Sequence, residues 1–362
     1  MIMSHINPDF AEEVKKFGAK DFHLCFNCGN CTAICALSKK DESFPREMVR
    51  YSTLGLEDDI KSSLKPWMCY YCGECSTDCP RQAHPGELMM SLRRWLTSKY
   101  DWTGLSGLLY KHLWAYIIGF LLVIVGLIAF AAKLDWNQEK IMHFGHQFEM
   151  FAIAGVFAII LLPNIFRMWL YTIVQPKVKA TIKVYYKAFS ELIVHMFTQK
   201  RFLECEKSQE TQIKWFEHFI LVIGYLSLLF TTVFLDWFGS ENMFVIALGY
   251  VESAIIFVVT FLFILNRIKK KEANHKFSQA SDWFFVIWLF LMGITAFAVR
   301  LFIDLNILES NFWLFMVHLT VLVQWAVIIV PFGKWTHFLY RSFAMYFAKV
   351  QELVAVDAKA KK

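Results

Sequence analysis

The chain has 362 residues, of which 57% are hydrophobic and 17% aromatic, and only 19% are charged. A soluble globular chain carries about 25% charged residues and no apolar runs near twenty residues long, so a wholly soluble protein is excluded. The net charge of +6 is modest, and its meaning depends on where the basic residues sit.

Residues 1 to 20 are polar and charged, and no cleavable signal peptide is expected from them. Eight of the nine cysteines then fall into two copies of one pattern, "CFNCGNCTAIC" at 25–35 and "CYYCGECSTDCP" at 69–80. Each reads C-x2-C-x2-C-x3-C, the run that wraps the irons of a cubane, and its fourth cysteine reaches the other cluster in two-cluster proteins. The pattern therefore assigns Cys25, Cys28, Cys31 and Cys79 to one [4Fe–4S] cluster, and Cys69, Cys72, Cys75 and Cys35 to a second. Pro80 follows Cys79 as the pattern expects, whereas Ala36 follows Cys35, so the first block lacks its proline. Zinc takes pairs of C-x2-C and has no need of a third cysteine two residues on. Disulfides would need an oxidising compartment.

Between the blocks, Pro45 opens a helical pattern through Met48, Val49 and Leu54, which Gly55 stops. "GLEDDIKSSLK" predicts a second short helix, and "GELMMSLRRWLTSKY" a third after the last cysteine. No strand alternation appears. The fold class is all-α, with an N-terminal α-helical dicluster ferredoxin domain over residues 1–104.

Residues 105–345 are expected to form a six-helix transmembrane bundle, and 346–362 a basic tail. Six apolar stretches, at 113–132 and about 148–174, 216–235, 243–266, 283–303 and 312–332, each approach the ~20 residues that cross a bilayer core. Lys and Arg crowd two of the loops. The 175–214 loop holds Lys177, Lys179, Lys183, Lys187, Lys200, Arg201, Lys207 and Lys214. The 267–282 loop holds Arg267, Lys269, Lys270, Lys271 and Lys276, against only Lys133 and Lys140 in the 133–147 loop. This asymmetry puts the cluster domain and the C-terminus in the cytoplasm. The positive charge is then a topology signal, and no nucleic-acid surface is expected.

Histidine in or beside a transmembrane helix is costly without a ligand, a partner or a cavity. His218 sits at the inner end of the third span, His318 near the outer end of the sixth, and His337 beyond its inner end. Paired imidazoles are axial ligands of b-type haem held between helices. Two haems b are expected, or one. An inner haem pairs His218 with His337, and an outer one pairs His318 with His146, or alternatively with His143. On a straight helix His318 and His337, 19 residues apart, would point ~100° apart, so Pro331 and Gly333 must distort it. His112, His195 and His275 are read as solvated. Arg300 either meets a haem propionate or snorkels to the interface. Glu252, inside the fourth span, is a candidate for proton handling at a quinone site or a plain hydrogen-bonding role. Cys205 is read as an ordinary free thiol.

The stretch "FPREMVRYSTLGLEDD…WMCYYCGECSTDCPRQAHPGELMMSLRR" resembles the cluster domain of heterodisulfide reductase C. The membrane half is similar to heterodisulfide reductase E and to the gamma chain of nitrate reductase. Their fusion in one chain resembles the C-type chains of quinone-interacting membrane-bound oxidoreductase (Qmo) complexes. That resemblance implies two [4Fe–4S] clusters, haem b, a menaquinone substrate and cytoplasmic flavoprotein/iron–sulfur partners similar to heterodisulfide reductase A. It also implies adenylylsulfate reductase as electron partner, in sulfur metabolism at the inner (cytoplasmic) membrane. The nitrate reductase gamma pattern puts a second histidine ten residues after the one matched by His218; here that position is Leu228. Another heterodisulfide-reductase-like complex, or a haem-free anchor for a cluster protein, are the competing readings.

Overall fold

The structure, a computed structural model, describes residues 5–38, 43–199, 209–234, 237, 239, 242–270 and 273–360. Cys205 and the basic residues Lys200, Arg201, Lys207 and Lys271 lie outside them. The described residues form helices and turns with no strand, so the all-α expectation holds.

Among the described residues, the cluster domain is built from seven α-helices and one 3-10 turn, Phe22–Leu24. The helices are α1 (Phe10–Lys15), α2 (Asn30–Ala33), α3 (Arg46–Leu54), α4 (Glu57–Ser62), α5 (Lys65–Met68), α6 (Glu74–Thr77) and α7 (Pro85–Tyr100). The three helices predicted around the second cysteine block appear as α3, α4 and α7. Gly55 ends α3 in the left-handed conformation, as a C-terminal glycine does. Trp67, Trp95 and Tyr100 are fully buried.

A short α8 (Leu105–Lys111) leads into the spans. Among the described residues, six helices are long and apolar enough to cross a membrane. These are α9 (Leu113–Lys133), α10 (Gln138–Val174) and, after the intervening α11 (Ile182–Thr198), α12, which covers Gln209–Val233. Then come α13 (Met243–Ile268), α14 (Ala280–Asp304) and α15, over 312–332. Large apolar side chains such as Leu122 and Val125 point outward from α9, as hydrocarbon contact requires. The last helix, α16 (Thr336–Ala360), takes in most of the stretch assigned to the tail.

His318 and His337 are not on one straight helix. A π-helical turn over Trp325–Ile329 inserts extra residues into α15, and Gly333 is extended, so α16 starts afresh at Thr336. The straight-helix angle between the two imidazoles therefore does not apply.

The cluster domain does not hang on a linker. Trp67, Trp95 and Tyr100 share one core with Met168 and Ile173 of α10 and with Tyr340, Ala344 and Phe347 of α16. The Tyr340 ring lies 5.3 Å from that of Tyr100 and 5.6 Å from that of Trp67. Burying such a side chain stabilises the fold by about 1.5–3 kcal/mol.

Candidate functional site

The two cysteine blocks fold alike because their sequences place the same backbone needs at the same offsets. Asn27 and Tyr71, two residues after the first cysteine of each block, are left-handed at φ 66° and 62°. Gly29 and Gly73 follow at φ 87° and 89°, where a Cβ is strained, and each starts a one-turn helix, α2 and α6. The chain thus curls within each block, with Cys31 and Cys69 buried, Cys25, Cys35, Cys75 and Cys79 half-buried, and Cys28 and Cys72 exposed. Backbone amides of Asn27 and Tyr71 donate to Cys25 Sγ and Cys69 Sγ, each at 3.4 Å, and Ala83 donates to Cys79 Sγ at the same distance. Asn30 Nδ2 donates to the Asp78 carbonyl at 2.7 Å and ties the first block to the end of the second.

Burial pushes the Cys31 thiol up to about 11, helped by the neighbouring thiols of Cys25, Cys28 and Cys79. Burial likewise raises Cys35, with Cys69 and Cys72 pushing the same way. Cys75 is raised by burial and by Cys69 and Cys72, with Cys31 and Cys35 adding to them. Crowded thiols of this kind are poor thiolates alone and become good ones when iron sits among them. All eight described cysteines are free of disulfides. Cys35, Cys69, Cys72 and Cys75 line one small pocket. The donor set fits four-iron clusters.

A larger cavity, of about 420 Å³, runs from Tyr70, Tyr71 and Cys72 into the near end of the bundle, and both His218 and His337 line it. Its walls include Leu221, Phe263, Phe285 and Trp325. Among the described residues, six cations, Arg93, Arg94, Lys214, Arg267, Lys334 and Arg341, line it against one carboxylate, Asp282. Asp282 is itself paired to Arg94 at 2.8 Å and Lys334 at 2.7 Å. Paired imidazoles, apolar walls and surplus positive charge suit a flat dianionic ligand that carries a metal. His275, read from sequence as solvated, lines the same cavity.

Arg93 carried no signal in the sequence. It is buried on α7, donates from Nε to the Pro66 carbonyl at 2.7 Å and from Nη2 to the carbonyl of Cys69, and places Nη1 3.4 Å from His337 Nε2. One guanidinium thus touches both a cysteine of the second block and an imidazole of the cavity. An arginine in an amphipathic helix bears no sequence mark of such a role; only its partners reveal it.

At the far end, His146 and Glu149 of α10, Arg300 and Asp304 of α14 and His318 of α15 line a second cavity of about 540 Å³. Thr295 Oγ1 donates its proton to the Leu291 carbonyl at 2.7 Å, so His318 Nδ1–H donates to Thr295 Oγ1 at 2.9 Å. His318 Nε2 lies 3.6 Å from Glu149 Oε1. A hydroxyl fixing one ring nitrogen is how proteins orient a metal-ligating histidine. His143, the alternative partner, is exposed. Arg300 pairs with Asp304. Glu252 is buried and accepts from Ser227 and, at 3.2 Å, from Thr231, both on α12. Leu228, where the nitrate reductase gamma pattern has histidine, packs against the bundle core.

Residues 24–84 match the family model described as a 4Fe-4S dicluster domain, so the chain carries an iron–sulfur electron-transfer module. The chain is 34% identical over 91 residues to a protein of Archaeoglobus profundus that is itself described as similar to heterodisulfide reductase C, covering 25% of this chain and 48% of that one. It is 35% identical over 78 residues to the C component of the H(2):CoB-CoM heterodisulfide,ferredoxin reductase of Methanothermobacter thermautotrophicus, covering 22% and 42%. It is 28% identical over 126 residues to a C-type iron–sulfur component of the CoB–CoM heterodisulfide reductase of Methanocaldococcus jannaschii, covering 33% and 65%. The chain spans about half the length of the first of these relatives. No solved structure matches it.

Proposed function

We propose that the chain is the membrane component of a quinone-linked oxidoreductase complex. It would carry electrons between menaquinone and cytoplasmic flavin and iron–sulfur proteins similar to heterodisulfide reductase A, with adenylylsulfate reductase as the electron partner. The carrying observation is that the cavity shared by His218 and His337 also reaches Cys72 of the second cysteine block. Bound iron–sulfur clusters and haem b would supply one-electron chemistry. Cys25, Cys28, Cys31 and Cys79 would hold one cluster, and Cys69, Cys72, Cys75 and Cys35 the other; the neighbours that raise Cys31 and Cys35 support this crossed assignment.

The chain's own task is to fix positions and charge. His218 and His337 would ligate one haem, while the surrounding cations would balance its propionates. Arg93 Nη1 would have to yield the Nε2 face of His337 to iron. His318 and His146 would ligate a second haem in the far cavity, beside Arg300. Glu252 stays a candidate proton carrier for quinone, held by Ser227 and Thr231. Moving an electron between the two ends against 100 mV costs about 2.3 kcal/mol, so the haem count decides whether turnover is electrogenic.

The test is to count haem b and acid-labile iron per chain in wild type and in His146→Ala. Two haems falling to one, with about eight cluster irons unchanged, supports the full route. One haem untouched by the substitution removes the far site. Intact clusters with no haem at all overturn the route through the bundle.

A further inference from the structure

The segment between the second and third spans holds a helix that the proposed electron route does not use. Along α11, Ile182, Tyr186, Phe189, Ile193 and Phe197 recur at steps of four, three, four and four, which puts them on one stripe. The stripe is exposed, to 85% at Ile182 and 83% at Tyr186. Roughly opposite, Val184, Ala188 and Leu192 are buried. Val184 and Ala188 belong to the core that joins the cluster domain to α10 and α16. The third sector is basic: Lys183 and Lys187 are exposed there, and Lys177 and Lys179 are exposed in the connection just before it.

A helix in water with one face already packed does not keep five large apolar side chains in register on another. Nor does α11 cross the bilayer, since 17 residues that include Lys183, Lys187 and Glu191 are too short and too charged. An apolar stripe flanked by a lysine stripe is the pattern of a helix lying in the membrane interface. Its apolar side chains enter the acyl boundary, and its lysines stay at headgroup level. Trp169 Nε1 donates to Tyr185 Oη at 2.9 Å, and Tyr346 Oη donates to the Tyr185 carbonyl at 3.3 Å, which pins the helix to α10 and α16.

We propose that α11 is an in-plane membrane helix, with its Ile182–Phe197 stripe in the bilayer surface and Lys177, Lys179, Lys183 and Lys187 on anionic phospholipid headgroups. Because its buried face is part of the shared core, it sets the height and tilt of the cysteine blocks above the bilayer. The inference needs no cofactor in either cavity.

The experiment uses the full chain in nanodiscs of phosphatidylcholine and phosphatidylglycerol at three to one, as an order-of-magnitude mimic of an anionic surface. A photo-crosslinking p-benzoylphenylalanine replaces Tyr186 or Phe189 in turn, with Ser190 on the basic sector as the control, and adducts are read by mass spectrometry. Lipid adducts at 186 and 189, several-fold above those at 190, are expected. Enrichment of phosphatidylglycerol among them is expected to vanish when the four lysines are changed to glutamate. Adducts to a second copy of the chain, or no lipid adducts at 186 and 189, overturn the proposal. An adduct lipid composition equal to the bulk overturns its anionic half. Elution of each variant as a single species in detergent shows that the fold is kept.

Discussion

Glu87 shows how a single buried group makes the cluster domain sensitive to pH. It is buried at the start of α7, and burial, with Asp21 nearby, pushes its carboxyl up to about 7 against the pull of Arg94. An acid whose folded pKa is raised binds more protons folded than unfolded between its ordinary value near 4.5 and about 7. Stability is therefore lost as pH rises through that window. Glu87→Gln is expected to raise the thermal midpoint of the solubilised chain at pH 8 and to leave it nearly unchanged at pH 4.5. An equal shift at both pH values would show that the carboxyl does not titrate in this range. None of this was legible in the sequence, where Glu87 reads as an ordinary acidic residue in the first turn of a helix. The cysteines were legible because their spacing alone states their chemistry, and no partner has to be known.

Among the elements, the paired one-turn helices carry the most consequence. Gly29 and Gly73 each let one block curl, and a Cβ at such a φ costs about 1–2 kcal/mol. Each glycine serves its own block, yet each cluster is expected to draw one cysteine from the other block. Gly73→Ala is therefore expected to lower iron content by about four per chain and to spare most of the iron held through Cys25, Cys28 and Cys31. Equal loss from both centres, read by EPR and iron analysis, would contradict that independence. The three helices around the second block followed from Pro45, Gly55 and apolar spacing, and the six long helices from hydropathy. The break before Thr336 followed from Pro331 and Gly333, but the π-helical turn of α15 did not, because a local change of helical period leaves the apolar pattern nearly intact. The stripe on α11 hid for another reason. Its lysines already had an explanation in loop orientation, and its apolar residues alternate with them at a helical step.

On the scale of the whole molecule, the join between the cysteine-bearing part and the bundle is a buried one. Arg94 of α7 meets Asp282 of α14, which also meets Lys334 just before α16, and the aromatic core continues behind them. Removing the carboxylate takes the partner from the buried Arg94 and the half-buried Lys334. Asp282→Asn is expected to cost about 3–5 kcal/mol, read as a lower unfolding temperature in detergent. A change under about 1 kcal/mol would mean that water reaches this cluster and screens it. No sequence pattern announces such a triad, since its members are 188 and 52 positions apart in the pairs Arg94–Asp282 and Asp282–Lys334.

The shared core has one more effect. Two carriers on separate proteins must find each other by diffusion, so their exchange slows on dilution and responds to salt. Here Trp67, Tyr100 and Tyr340 make the cysteine blocks and the histidine-lined cavity parts of one solid body. Whatever passes between them crosses a gap of fixed width, at a frequency indifferent to protein concentration and ionic strength. Encounter is left to the outer surfaces of that body.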